Sequence, residues 1–153
     1  MAQGYINVMD SMLQMQRNLQ VDSYGYDPLE LTGEDLMDWV RWNTLALEDE
    51  LHEALGETGW KPWASSNHID KEAFFHEMID AWHFFMNLLL VTGYSANDFY
   101  KAYCDKHNLN AIRQKNGYDG LAGKCKQCGR ALDDPHVKCD ENHCEYTYGT
   151  KAE

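Results

Sequence analysis

Apolar residues recur along most of the chain at the spacing of an α-helix, and polar breaks divide the pattern into four segments. The repeats predict helices over residues 5–20, from about 32 to 55, from about 70 to 92 and from 95 to about 116. No segment alternates apolar and polar residues with a period of two, which is the pattern of a half-buried strand. The pattern therefore predicts an all-α fold, a bundle of four main helices.

Capping signals support the predicted boundaries. Thr32 and Asp35 have the spacing of a capping box at the start of the second helix, and Ser95 and Asp98 repeat that spacing at the start of the fourth. Glycine follows the last apolar position of the second helix, at Gly56, where helices commonly end.

The third segment is apolar on most of its faces. Its run AWHFFMNLLLV, residues 81–91, is interrupted by His83 and Asn87 and is too short to span a bilayer. A helix that is apolar nearly all round is typical of the centre of a bundle. We therefore expect the third helix to be central, with His83 as a structural core residue and no membrane association.

The periodicity stops near residue 121, and the remaining segment is polar and rich in turn-forming residues. We therefore predict a helical domain over residues 1–120 and a separate module over residues 121–153. The module contains four of the five cysteines, in the pattern C-x₂-C, ten residues, C-x₄-C: Cys125, Cys128, Cys139 and Cys144. Four thiolates suit tetrahedral Zn²⁺, so the tail is interpreted as a short structural zinc ribbon, in which His143 or His136 could replace one cysteine.

Composition and charge restrict the classes of partner. The chain has 153 residues, of which 44% are hydrophobic, and a formal net charge of −12. That charge argues against broad binding to nucleic acid, because the phosphate backbone would repel it. The first residues carry no signal-peptide pattern, so we expect a soluble cytoplasmic protein, in the host cytoplasm if the protein is viral.

Two pairs of acidic residues are the first candidate chemistry. Glu50 and Glu53 are three residues apart on the second helix, and Glu77 and Asp80 repeat the spacing on the third. Residues at this spacing share a helix face, so two facing helices would bring four carboxylates together. Such a cluster repels itself unless hard cations such as Mg²⁺ neutralise it, and Mg²⁺ also accepts phosphate oxygens. Glu48 is a possible outer neighbour of this cluster.

A basic stripe on the fourth helix complements this acidic cluster. Lys106, Asn110 and Arg113 follow one another at spacings of four and three, so they share one face. A lysine, an amide and an arginine on one face are suited to holding phosphate. Carboxylates for metal and cations for phosphate together favour phosphoryl chemistry.

An ordered set of motifs resembles a known family. They are MQRNLQ (15–20), EDELHEAL (48–55), WKPW (60–63), EMIDAWHFFMN (77–87) and KHNLNAIRQKNGY (106–118). Over about residues 5–120 the chain resembles the all-α nucleotide pyrophosphatases of the dimeric dUTPase type, related to MazG. It is most similar to the dCTPase–dUTPase enzymes of bacteriophages.

The resemblance implies a function and a site. It implies Mg²⁺-dependent hydrolysis of a deoxynucleoside triphosphate such as dUTP or dCTP to the monophosphate and pyrophosphate, by a homodimer with two or more Mg²⁺ ions. The implied metal ligands are Glu50, Glu53, Glu77 and Asp80. The implied substrate contacts are Gln16 to the base, Lys106, Asn110 and Arg113 to the phosphates, the closing Tyr118, and the nearby Gln20, Trp60, Lys61 and Trp63.

Two departures keep alternatives open. Many dUTPases of this family carry asparagine where this chain has Gln20, so dCTP remains a candidate substrate beside dUTP. The cysteine tail is not part of the family core. The alternatives are a MazG-type pyrophosphatase for another nucleoside triphosphate and a non-catalytic helical regulator with a zinc tail.

Overall fold

The computed structural model describes residues 8–115, and these are helical apart from their loops and one isolated antiparallel bridge. The four α-helices are α1 (Val8–Leu19), α2 (Gly33–Gly56), α3 (Lys71–Leu90) and α4 (Ala96–Lys115). The predicted all-α class and the four predicted helices are confirmed, with boundaries within about three residues of those expected from periodicity. None of the helices within residues 8–115 is long and apolar enough to cross a membrane.

Side chains cap the starts of α3 and α4 but not the start of α2. The Asp70 carboxylate accepts hydrogen bonds from the backbone N–H groups of Glu72 and Ala73 at the start of α3. At the start of α4, Asp98 donates its N–H to Ser95 Oγ and accepts the N–H of Ser95 in return. The capping box predicted at Thr32 is wrong, because the Thr32 side chain makes no capping bond.

A π-helical turn, Gln20–Tyr24, follows α1 directly and was not foreseen. It ends at Gly25, whose φ of 76° lies in the left-handed region that favours glycine. Short π-helical turns often occur at functional sites, because they displace side chains from the regular helical face. Here the turn begins at Gln20, one of the few buried polar residues.

The third helix packs against both α1 and α2, as the prediction of a central helix requires. Ala81, Met86 and Leu90 of α3 and Ala54 of α2 are buried. The same interior contains four polar side chains: Gln16, Gln20, Asn43 and Asn87. Several large apolar side chains are exposed instead, among them Trp42 at 65% and Phe75 at 58%. The structure therefore buries amides while leaving aromatic surface in water.

The chain divides into two compact units, residues 1–98 and residues 99–153. The first contains α1, the π-helical turn, α2 and α3, and the second contains most of α4. The predicted zinc ligands, Tyr118 and the predicted domain boundary near residue 120 lie outside the described residues.

The loop between α2 and α3 is closed at its neck by backbone hydrogen bonds. Gly59 N–H donates to the carbonyl of His68 at 2.8 Å, and Asp70 N–H donates to the carbonyl of Glu57 at 2.9 Å. A Cβ on Gly59 would lie 2.0 Å from the backbone oxygen of Ser66. The neck can close in this form only because residue 59 has no side chain.

We expect Gly59→Ala to lower the free energy of unfolding by about 1–3 kcal/mol, since the new methyl must displace backbone atoms. Gly56→Ala is the matched control, because a Cβ there meets nothing within 4 Å. Urea unfolding of both variants checks this. Equal stability of the two variants would show that the loop neck is not as tight as described.

Candidate functional site

The described residues contain one group of carboxylates close enough to share a metal ion: Glu50, Glu53 and Glu77. One oxygen of each lies within 4.8 Å of the others. Glu50 and Glu77 are half-buried and Glu53 is exposed. The helical spacing places Glu50 and Glu53 on one face of α2, and the packing of α3 against α2 brings Glu77 to that face.

The fourth predicted carboxylate, Asp80, is not in this three-residue cluster and is exposed. Of the two acidic residues on α3, Glu77 is therefore half-buried within the cluster and Asp80 lies outside it. Asp80 still acts on the cluster through its charge. Burial raises the pKa of Glu50 most, and the negative charges of Glu53, Asp80 and Glu77 raise it further.

The raised pKa of Glu50 makes the stability of the metal-free protein depend on pH. The folded state holds the proton of Glu50 more tightly than the unfolded chain does. The contribution of Glu50 to stability is therefore complete below the ordinary glutamate pKa and is lost as the pH rises through the raised pKa. Glutamine carries no charge and does not titrate in this range, so Glu50→Gln removes this loss.

We expect metal-free Glu50→Gln to melt above wild type at a pH well above the raised pKa, by roughly 2–4 °C for each ~1 kcal/mol that burial and repulsion of the charged carboxylate cost the folded state. The two melting temperatures should converge as the pH falls below the ordinary glutamate pKa. Thermal unfolding in chelator across this pH range measures both. A difference that is constant with pH would contradict the proposed origin of the raised pKa.

A cavity of about 490 Å³ adjoins the carboxylates. Glu50 and Asp80 lie in its wall together with amides and aromatic rings from α1, the π-helical turn, α2 and α3. The lining residues are Gln16, Leu19, Gln20, Tyr24, Trp39, Asn43, Glu50, Asp80, His83, Phe84 and Asn87. A cavity with acidic groups, amides and rings in its wall can take a ligand that has a planar polar part and an anionic part joined to metal.

Buried amides form a connected set of hydrogen bonds along this cavity. Gln16 Nε2 donates to Asn87 Oδ1 at 2.8 Å, and Asn87 Nδ2 donates to Asn43 Oδ1 at 2.7 Å. Asn43 Nδ2 donates to the backbone carbonyl of Trp39 at 2.8 Å. His83 Nδ1 lies 2.7 Å from Gln16 Oε1. We call these four side chains, Gln16, Asn43, Asn87 and His83, the amide relay.

Sequence reasoning placed Gln16 in the site and missed the rest of the relay. His83 was expected in the core and is exposed, so that prediction is wrong, although the ring does bond to buried Gln16. Asn87 interrupts the apolar run of α3, and this interruption was the available signal. Asn43 gave a weaker signal, a short amide within the second helix.

The WKPW element lies on the loop between α2 and α3. Trp60, Lys61 and Trp63 are all exposed, and the ammonium of Lys61 lies 5.8 Å from the centre of the Trp60 ring. Exposed tryptophans beside a lysine offer ring faces and a positive charge to a ligand. None of these three side chains is among the described residues that line the cavity.

The basic stripe occurs on α4 as its spacing predicted. Lys106 and Asn110 are exposed and Arg113 is half-buried, all three within the helix and within the second unit. The three side chains make up one face of α4.

Comparison with known proteins relates most of the described chain to one family. The family model described as dUTPase matches residues 8–95, which include α1, α2 and α3 with their carboxylates and amides. No solved structure matches the chain significantly.

Similar curated proteins come from bacteriophages. The dCTP pyrophosphatase of Enterobacteria phage T4 is 31% identical, over 70% of this chain and 80% of that protein. The dCTP pyrophosphatase of Enterobacteria phage LZ5 is 32% identical, over 74% and 84%. A DNA replication protein of phage T4 is 31% identical over 68% of this chain and 36% of its own length. The chain therefore belongs to the dUTPase family and is a nucleoside triphosphate pyrophosphohydrolase.

Proposed function

We propose that this chain hydrolyses dCTP, dUTP or both to the nucleoside monophosphate and pyrophosphate in a Mg²⁺-dependent reaction that controls the deoxynucleotide pool. The observation that supports this most is that Glu50, a member of the carboxylate cluster, also lines the cavity that contains the amide relay. One ligand can therefore contact the relay and approach the carboxylates at the same time.

The carboxylates suit a hard divalent cation. Glu50, Glu53 and Glu77 offer oxygen ligands from two helices, with no sulfur or nitrogen ligand among them. Asp80, which is close enough to raise the pKa of Glu50, is proposed as the fourth ligand. When bound, two or more Mg²⁺ ions would neutralise the triphosphate and lower the pKa of a bound water.

The chain's own residues have separate proposed roles. Gln16 and Gln20, both buried in the cavity wall, orient the base. Partial burial of Glu50 and Glu77 weakens the screening of their charges by water. Lys106, Asn110 and Arg113 on α4 are proposed to contact the phosphates, and the remaining proposed substrate contacts are Trp60, Lys61, Trp63 and Tyr118.

The exposed apolar surface supports the further proposal that the protein is a homodimer. Trp42 and Leu45 of α2 are 65% and 50% exposed and lie three residues apart on one helix face. Exposed apolar surface of this kind is typical of protein interfaces.

The experiment for the proposed function is a panel of the common deoxynucleoside triphosphates incubated with purified full-length protein and Mg²⁺. Release of pyrophosphate and a monophosphate from dCTP or dUTP supports the proposal. Turnover of only another nucleoside triphosphate would favour the MazG-type alternative. Failure to hydrolyse any member of the panel would favour the non-catalytic regulator and contradict the enzyme assignment.

We also propose that residues 121–153 form a separate zinc-binding module through Cys125, Cys128, Cys139 and Cys144, with His143 as a possible substitute ligand. We expect about one zinc ion per full-length chain and none in a variant truncated near residue 122. Metal analysis of both proteins after dialysis measures this. Equal zinc content would place the metal elsewhere or show that the tail binds none.

A further inference from the structure

An ion pair outside the cavity wall ties the end of α1 to the loop that follows the π-helical turn. The guanidinium of Arg17 donates from Nε to Asp27 Oδ1 at 3.0 Å and from Nη2 to Asp27 Oδ2. A bidentate contact of this kind holds a carboxylate in one orientation. Asp27 Oδ1 also accepts the N–H of Leu29 at 3.1 Å. We call Arg17 and Asp27 the clamp.

The clamp is charged and partly shielded from water. The hydrogen bond with Arg17 lowers the pKa of the Asp27 carboxyl below its ordinary value, so the carboxylate remains charged across the neutral range. A second ion pair, between Arg41 and Asp38, has the same chemistry but is more exposed and joins residues three apart on α2. That pair spans no loop, so it is the natural comparison for the clamp.

The clamp encloses the π-helical turn, because its two residues are ten positions apart and Gln20–Tyr24 lies between them. The backbone carbonyl of Gln20 accepts the N–H of Gly25 and the N–H of Tyr26, the latter at 3.2 Å. Asp27 follows Tyr26 directly, so the segment that the clamp restrains is the one bonded to Gln20. An isolated π-helical turn is rare, which indicates that contacts outside the turn help to hold it.

Gln20 is the residue through which the clamp can reach a ligand. It is buried and lies in the wall of the 490 Å³ cavity, whereas neither Arg17 nor Asp27 is among the lining residues. The hydrogen bonds within residues 8–115 leave the side-chain amide of Gln20 without a protein partner, unlike that of Gln16. A buried amide of this kind is expected to bond a ligand or water.

We propose that Arg17 and Asp27 are positioning residues for the nucleotide, because the clamp holds the π-helical turn so that the amide of Gln20 stays in the cavity wall. This inference rests on the proposed function, since it takes the cavity to be the base site. The clamp then contributes to binding of the nucleotide and not to the chemistry at the carboxylates. Its loss should raise KM, leave kcat nearly unchanged and affect dCTP and dUTP alike.

The first arm of the test measures the turn itself and needs no activity. Hydrogen exchange of the Gly25 and Tyr26 amides is followed by NMR in full-length wild type and in Arg17→Met. We expect exchange to be roughly two- to tenfold faster in the variant, the effect of one lost hydrogen bond on local opening, with a smaller change in the middle of α3. Unchanged exchange at both amides would overturn the proposal.

The second arm measures steady-state kinetics with dCTP and dUTP at saturating Mg²⁺. We expect Arg17→Met to raise KM by roughly two- to tenfold. Arg41→Met is the control, because it changes the net charge equally and breaks an ion pair that spans no loop, so KM should not change. Asp27→Asn is the second variant if Arg17→Met fails to fold, since it removes the charge and keeps an oxygen for the N–H of Leu29.

A double-mutant cycle shows whether the clamp acts through Gln20. Gln20→Ala should itself raise KM, and adding Arg17→Met to it should raise KM little further, because the side chain to be positioned is already gone. Independent, multiplying effects on KM would show that the ion pair is merely structural and would overturn the proposal. A fall in kcat with unchanged KM in Arg17→Met would also overturn it.

Binding of dCMP and dUMP, measured by calorimetry, separates this proposal from the proposed function. A chain that binds either monophosphate, loses affinity in Arg17→Met and hydrolyses no triphosphate would contradict the proposed function and support the clamp. Unchanged affinity in Arg17→Met would overturn the clamp whatever the turnover. If wild type bound neither monophosphate, the cavity would not be a nucleotide site and the proposal would be wrong.

Discussion

Glu53→Gln is expected to lower the rate of pyrophosphate release by roughly 10³-fold, without unfolding the protein. Glu53 is exposed, so its replacement disturbs no packing, yet its carboxylate lies within 4.8 Å of those of Glu50 and Glu77. Glutamine keeps the shape and removes the charge. A bound metal supplies several kcal/mol of transition-state stabilisation, and each 1.36 kcal/mol lost is a tenfold loss in rate.

Steady-state kinetics at saturating Mg²⁺, with circular dichroism as a check on folding, measure this effect. Glu34→Gln is the control, because Glu34 is an exposed glutamate in the first turn of the same helix and belongs to no carboxylate cluster of the described residues. Asp80→Asn should also lower turnover, since Asp80 acts electrostatically on Glu50. If both Glu53→Gln and Asp80→Asn kept full activity, the assignment of the metal site would be wrong, although the protein would still be an enzyme.

The largest loss of stability is expected for Asn87→Leu, at about 2–4 kcal/mol. Asn87 is 4% exposed, and its side chain donates to Asn43 and accepts from Gln16. Leucine has a similar size but satisfies neither, so a buried donor and a buried acceptor both lose their partners. Urea unfolding of wild type and variant gives the difference in free energy.

Asn18→Ala is the matched control for that measurement. Asn18 also accepts a hydrogen bond from a glutamine, at 2.8 Å, but the pair is exposed on α1 and water can replace it. We expect a change within about 0.5 kcal/mol. If Asn87→Leu were as stable as Asn18→Ala, the relay would not be the rigid element that we describe.

Periodicity was sufficient to predict the parts of the site that depend on one helix at a time. Glu50 and Glu53 share a face of α2 because they are three residues apart, and the same spacing put Glu77 and Asp80 on one face of α3. Helix type and helix face follow from local spacing, which a single sequence displays directly. The same holds for the capping pair at Ser95 and Asp98.

The relay could not be predicted in this way, because its bonds join residues far apart in the chain. Gln16 and Asn87 are 71 positions apart, and Asn43 and Asn87 are 44 apart. Nothing in local spacing pairs one buried amide with another. The π-helical turn at Gln20–Tyr24 was missed for a related reason, since one widened turn hardly changes the apolar pattern of α1.

The most direct test of the central claim is the Mg²⁺ dependence of pyrophosphate release from dCTP and dUTP by the full-length chain. If the carboxylate cluster is the catalytic metal site, no release should occur in chelator, and added Mg²⁺ should restore release from one or both nucleotides. Release that persists in chelator, or no release at any Mg²⁺ concentration, would contradict the account.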